Sequence, residues 1–326
     1  MTFRVDNIER EQTPRMNDSG ENNIGDSEDQ SSPNSIFTII CIFNVPPMLI
    51  SILGNAVVLA AIKRTPSIHS ASMSLISSLA VSDFLVGVIG QPIYIADLLT
   101  KNSSISQLSI IVGFSVCTVS LLTLTAISVD RLLAVHFHLR YPSLVTKSRV
   151  KYILAVIWLI GFIVSGFGLW SKRVYHLLVA PIIFICLIIS SCCYIRIYQI
   201  ARRHQSMIQG QQRSMQSNNN ERDDVRVVEL QRSVFYIALI ICYSPAYILV
   251  TLNGLLHMTW QPEWNFATTV IFINSAINPF LYFWRLPKLR KAVVNIVRQM
   301  YARKWKRTRR IRRRQKRHCT LTTTKK

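Results

Sequence analysis

Acidic residues are scarce: 16 Asp and Glu stand against 38 Lys and Arg, and charged residues of both signs make up only 17% of the 326 positions. A soluble chain of this length, folded as one large or two ordinary domains, would need charge spread over its outer helix faces. Cysteine is present without a framework. Cys41, Cys117, Cys186, Cys192, Cys193 and Cys242 fall inside apolar runs and Cys319 in a basic tail. None stands in an outer loop where oxidation favours a disulfide, and zinc-site spacing is absent. Met1 to Ser35 is polar and acidic and lacks the apolar stretch of a cleavable signal. There are no internal repeats, so a transporter built from two related halves gains no support.

Hydrophobicity is abundant instead, at 50% of residues, and it is gathered into long runs. These cover Phe37–Ile62, Ala71–Leu98, Ile105–Val135, Tyr152–Leu169, Val174–Ile200, Val227–Leu255 and Trp264–Trp284. About twenty apolar residues in a helix cross the roughly 30 Å hydrocarbon core of a bilayer. The fold expected is therefore an all-α membrane bundle of seven helices. Between the fourth and fifth runs only Trp170 to Arg173 remain, too little for a domain or a lid.

The net charge of +22 matters for its placement. Lys63 and Arg64 follow the first run; Arg140, Lys147, Arg149 and Lys151 follow the third; Arg202 and Arg203 follow the fifth. The tail Arg285–Lys326 has no acidic residue. Basic loops stay in the cytoplasm, which predicts an extracellular N-terminus and an odd number of spans. Three regions result: a disordered extracellular segment 1–35, a membrane domain 36–285 and a cytoplasmic segment 286–326. Within the last, Pro287–Tyr301 alternates basic and apolar residues at helical spacing, an eighth helix that would press Leu289, Val293 and Ile296 into the headgroup layer. The stretch His204–Asp224 is either disordered or a frayed extension of the fifth helix. The tail KWKRTRRIRRRQKRH suits anionic membrane lipid or an address signal, and its tether at the membrane argues against nucleic acid. Asn17 and Asn102 head glycosylation sequons on the outer side.

Polar groups inside the spans carry the function. Asp83 falls near mid-bilayer, where a carboxylate needs partners. Asn274, Ser275 and Asn278 lie close to one face of the seventh run, Ser120 is mid-way along the third, and Asn55 is in the first. Converging on Asp83, these oxygens would suit a hard monovalent cation. Arg131, beside Asp130, follows Ser120 by about three helical turns, roughly 16 Å along the axis. Pro245 and Pro279 each free a carbonyl and bend a span, and Tyr282 continues the polar face below Asn278, as a two-state element requires.

The motifs GNAVVL, LAVSDFL, DRLLAV, Trp158, CYSP and NPFLY, in that order, resemble the rhodopsin-like (class A) G-protein-coupled receptors, in a pattern similar to their melanocortin, adenosine and cannabinoid branch. The resemblance implies a plasma-membrane, multi-pass receptor that passes an extracellular signal to heterotrimeric G proteins, with arrestin as a further partner; it implies no enzyme and no cofactor beyond an allosteric Na⁺ held by Asp83, Ser120, Asn274, Ser275 and Asn278. Arg131 would release from Asp130 and meet the G protein, joined by Tyr194 and Tyr282. Tyr243 stands where the family has a toggle Trp, Leu132 where it has Tyr, Cys186 where it has a span-five Pro, and Ser106 where it has a disulfide Cys. Leu121 and Leu239 hold the other positions of that span-five connector. A pocket near Gln91, Gly113, Cys117, Tyr243, Tyr247 and Thr268 carries no charge, which suits a lipid or uncharged peptide segment better than an amine. Ile93, Ser106 and Ile110 replace the acidic residues of melanocortin receptors, and Gly113 the aminergic Asp. Val250 and Phe272 replace the Asn and His of adenosine receptors. An ion channel or transporter, with Asp83 and Arg131 along its path, and a ligand-independent receptor-like protein are the alternatives.

Overall fold

The computed structural model describes residues 32–65, 70–100, 102–212, 219–256, 261–285 and 289–295, with positions 298 and 305. Among these residues there is no strand, and seven helices are long and apolar enough to cross a membrane. They are α1 (Ser32–Arg64), α2 (Ala71–Thr100), α3 (Ser103–His136), α4 (Lys147–Trp170), α5 (Lys172–Gln212), α6 (Asn219–Leu256) and α7 (Gln261–Arg285). A short helical turn, Tyr141–Leu144, sits between α3 and α4.

The helix starts follow from the loop residues. Ser70, Asn102 and Thr146 are extended N-caps whose side chains accept from the backbone N–H of Met73, Ser104 and Arg149, satisfying donors a helix start leaves open. The connection between α4 and α5 is shorter than the sequence suggests: Ser171 alone breaks the helix, at φ −155° and ψ 123°. α4 runs one residue past Leu169 and α5 starts two residues before Val174, so the junction closes to a single residue. The polar stretch after α5 continues as helix to Gln212 and resumes at Asn219.

The helices close into a ring, α1 on α2 and α7, α4 on α5, α5 on α6 and α6 on α7, with α3 packed inside against α2, α4 and α5. In α3 72% of the most apolar window is buried, against 28% in α4 and α5, so α3 is the axis of the bundle and those two face lipid. Wide π turns at Val86–Gly90 in α2 and Ser109–Gly113 in α3 rotate the outer halves of both helices. They meet at Gly90 and Gly113, where a Cβ on Gly90 would lie 3.5 Å from the Gly113 Cα.

Pro279 shows how a kink is accommodated. It cannot donate to the carbonyl of Ser275, and Asn55 Nδ2 of α1 donates to that carbonyl instead, at 3.3 Å. Gly54, beside it, lets α1 lie against the proline ring; a Cβ there would be 2.8 Å from Pro279 Cγ. The stretch 289–295 is helical, with Leu289 and Ala292 buried in the main core. Leu289 therefore docks on the bundle rather than in the headgroup layer. Asn17, Ile296, Cys319 and the basic tail apart from Trp305 lie outside the described residues.

Gly161 supplies a prediction. A Cβ there would meet Val119 Cγ2 at 2.5 Å and the Ser115 carbonyl at 3.1 Å, whereas Gly166 on the same helix has nothing within 4 Å. Gly161→Leu should cost about 1–3 kcal/mol by overpacking α4 against α3. Gly166→Leu should leave thermal unfolding in detergent unchanged. Equal melting of the two variants would refute this packing.

Candidate functional site

Three polar or hollow layers follow one another along α3. At one end, Arg131 Nη2 donates to Asp130 Oδ2 at 2.7 Å. Tyr141 Oη donates to the other carboxylate oxygen at 2.6 Å. Ser72 Oγ of α2 lies 3.2 Å from that same oxygen and 2.6 Å from the tyrosine oxygen, so its one proton serves either. Burial first, then the bond to Asp130, holds the Tyr141 hydroxyl above the ordinary phenol value, which keeps it a donor. Asp130 is 4% exposed and the Arg131 side chain 26%, so the clasp fixes a half-exposed guanidinium with a buried carboxylate. Nearby, Tyr194 of α5 stacks on Tyr236 of α6 with ring centres 4.6 Å apart, and Tyr282 is buried in the core.

About three turns along is Asp83, fully buried. Ser120 Oγ donates to one carboxylate oxygen at 2.9 Å and Asn278 Nδ2 to the other at 2.7 Å. The Ser275 side chain also faces the carboxyl. Asn55 turns its amide N–H to the Ser51 and Ser275 carbonyls, not to Asp83, and Ser51 Oγ donates to the Asp83 carbonyl. Asn278 Oδ1, Asn55 Oδ1 and Asn274 Nδ2 are buried without a hydrogen-bond partner. A carboxylate beside orphaned amide oxygens fits one hard cation. Among the described residues no group of three or more His, Cys, Asp or Glu exists, and a divalent ion normally asks for more carboxylates. Asp83, Ser120 and Asn278 are thus in direct contact, Ser275 beside them, and Asn274 is buried with its amide open.

Beyond this layer is a slot of about 510 Å³, its open mouth included. Cys117, Tyr243 and Thr268 line it, together with Thr118, Tyr175 and Trp264. The other three expected pocket residues lie elsewhere. Gln91 Nε2 reaches the Asn44 carbonyl at 3.4 Å, Gly113 packs on Gly90, and Tyr247 stacks on Phe184. Tyr243 forms the floor, and its hydroxyl faces Ser120, which places a phenol between the cavity and the Asp83 cage. At the other end Phe114, Tyr175, His176 and Trp264 make a chain of ring contacts 5.3–6.2 Å between centres. Phe114, Tyr175 and Trp264 of this chain of rings line the cavity, and Ser171 is the whole α4–α5 connection. All six described cysteines are free.

Sequence reasoning missed Ser72 and Tyr141. The signal was the Tyr-Pro pair just after α3, but that loop was read only for its basic charge. Pro245 sits inside α6 and Pro279 inside α7, as expected; Pro181 also falls inside α5. Asn102 caps α3 with its Oδ1 and is exposed.

Seven crossings around a central helix, a clasped arginine at one end and a hollow at the other define a membrane receptor. The pattern of the family described as 7 transmembrane receptor (rhodopsin family) matches residues 54–175 and 166–282. The chain belongs to that family and is a G-protein-coupled receptor. It is 26% identical over 272 residues to melanocortin receptor 5 of Pan troglodytes, covering 76% of this chain and 81% of the relative. To melanocortin receptor 4 of Danio rerio it is 26% identical over 269 residues, with 76% and 80% covered. To the histamine H2 receptor of Canis lupus familiaris it is 29% identical over 291 residues, with 80% and 79% covered.

Proposed function

We propose that this receptor resides in the plasma membrane with its N-terminus outside, and that an extracellular ligand in the slot shifts Arg131 from Asp130 toward a heterotrimeric G protein. The carrying observation is the closed Arg131–Asp130–Tyr141 clasp on the same helix as the slot. A ligand shifts such an equilibrium only by binding one state better, and α3 touches both ends. The slot's lining holds no carboxylate, so the amine implied by the name of the histamine relatives has no counter-ion there. The melanocortin relatives' acidic ligand positions are likewise Ile93, Ser106 and Ile110 here. A lipid or an uncharged peptide segment suits the lining better. The Asp83 cage takes Na⁺ in the resting state, the phosphorylated threonines of the tail (Thr320, Thr322 to Thr324) recruit arrestin, and Asn17 and Asn102 carry glycans.

A panel of G-protein activation sensors in cells tests this reading. Basal or ligand-evoked signal is expected from the wild type, and Arg131→Ala should abolish it while surface expression persists. Absence of signal from the wild type, with an ion flux that Asp83→Asn removes, would replace it with the channel reading.

A further inference from the structure

The slot reaches the seam between α6 and α7. On its inner side it is bounded by Ala246 and Val250 of α6 and Ala267 of α7. On the outer side of the same two helices is an open groove lined by Pro245, Ile248, Leu249, Glu263 and Phe266. Ala246, Leu249 and Ala267 lie at the seam between the two hollows and form a small packed cluster of their own, with Trp264 and Ile271 against it. Two of the three are alanines, so the cluster has little side-chain bulk of its own. Pro245 lines the groove and removes one rung from the α6 hydrogen-bond ladder at that level.

Phe114, Tyr175 and Trp264 form part of the slot's wall, and Phe114 is in ring contact with both of the others. The polar inventory of the slot is narrow. Thr118 and Thr268 give their hydroxyl protons to the carbonyls of Phe114 and Trp264, at 2.9 Å each, leaving only acceptor lone pairs. Tyr175 is 4% exposed and lines the slot; its side chain packs on the rings of Phe114 and His176, and among the described residues its hydroxyl has no hydrogen bond, which leaves it as donor and acceptor for a ligand. Neither an ammonium nor a carboxylate would find an opposite charge there, and burying one unpaired is costly. At the groove's rim the exposed Glu263 carboxylate repels anionic head groups and accepts from hydroxyls or amides. The rest of the slot's lining is apolar and suits the hydrocarbon part of an amphiphile.

We propose that the slot binds an uncharged single-chain amphiphile, a long alcohol or acyl amide, held at its head by Tyr175, and that this molecule arrives from the bilayer through the α6–α7 seam at Ala246, Leu249 and Ala267. The proposal rests on the receptor reading only in taking the slot as the ligand site.

The test uses the purified full chain in lipid nanodiscs and a hexadecanol bearing a mid-chain diazirine, with cross-linked residues mapped by mass spectrometry over time. Labelling is expected first at Ile248 or Phe266 in the groove and later at Cys117 or Ile183 in the slot. Leu249→Phe, and separately Leu249→Trp, at a seam residue outside the slot lining, should slow slot labelling and its reversal together by about tenfold, as a closed path does, with equilibrium labelling unchanged. Tyr175→Phe should weaken equilibrium labelling by about fivefold, the worth of one hydrogen bond, and leave a diazirine alkane unaffected. The matching fatty acid and fatty amine should label the groove and not the slot. Unaltered slot kinetics in both seam variants, whose folding a thermal melt checks, would overturn the route, as would faster loading on Trp264→Ala alone. Equal slot labelling by the charged analogues would overturn the ligand class. Slot labelling that leaves G-protein activation unchanged would uphold the site and the route, and would count against this ligand class as an agonist.

Discussion

Asp130→Asn is expected to raise ligand-independent G-protein activation by roughly tenfold. The carboxylate holds the Arg131 guanidinium at 2.7 Å through a charge-assisted bond. Such bonds contribute about 1.5–3 kcal/mol, and each 1.4 kcal/mol is a factor of ten in the equilibrium. The lower figure applies because the Arg131 side chain is 26% exposed and water screens the pair. An amide of the same shape keeps acceptor oxygen toward Tyr141 and Ser72, so the loop stays docked while the charge is gone. Where the active form is a few per cent of the resting population, a tenfold shift is large and readable as basal nucleotide exchange on a G protein added to receptor vesicles. Tyr141→Phe removes one neutral donor from the same carboxylate and should give a smaller rise, about fivefold or less. A folded Asp130→Asn receptor with wild-type basal exchange would show that the clasp does not hold the resting state.

The seven crossings were legible because hydrophobic length and loop charge are additive signals spread over many residues. The Asp83 cage was legible for another reason: a carboxylate inside a span needs partners, and few polar residues stand at the right depth to supply them. Ser120 and Asn278 are those partners. Asn55 was misplaced because its job arises from another helix. The carbonyl it satisfies exists only once Pro279 has broken α7, which no spacing within α1 reveals. The slot was the least legible layer. Gln91 and Gly113 sit at plausible depths, but the π turns in α2 and α3 rotate the faces there, and a fixed helical period carries no trace of an inserted residue; Tyr247 of α6 instead stacks on Phe184 of α5. Tyr175 and Trp264 were passed over for a related reason. They belong to helix ends that look like loop anchors until Ser171 proves to be the entire α4–α5 connection.

Asp83→Asn should reverse the response of thermal stability to sodium. In sodium-free buffer the wild type buries a carboxylate with two donors and orphaned amide oxygens around it, and the variant replaces the charge by an amide of equal size. Removing an under-compensated charge from the membrane interior favours the variant, which should melt at or above the wild type. Adding sodium reverses the order. A ligand bound only by the folded form stabilises it by about 2.7 kcal/mol at a hundredfold excess over its dissociation constant, and the variant has lost the charge that binds it. The two melting curves should therefore cross as sodium is raised, and choline at equal ionic strength should produce no crossing, which separates a bound ion from screening. If wild type and variant rise in parallel, the cation is not at Asp83. The same linkage reaches the other two layers. An ion that fits the cage while Ser120 and Asn278 hold Asp83 favours that arrangement of α3 and α7, and by reciprocity an agonist that pulls Tyr243 away from Ser120 must weaken sodium by the factor by which sodium weakens the agonist.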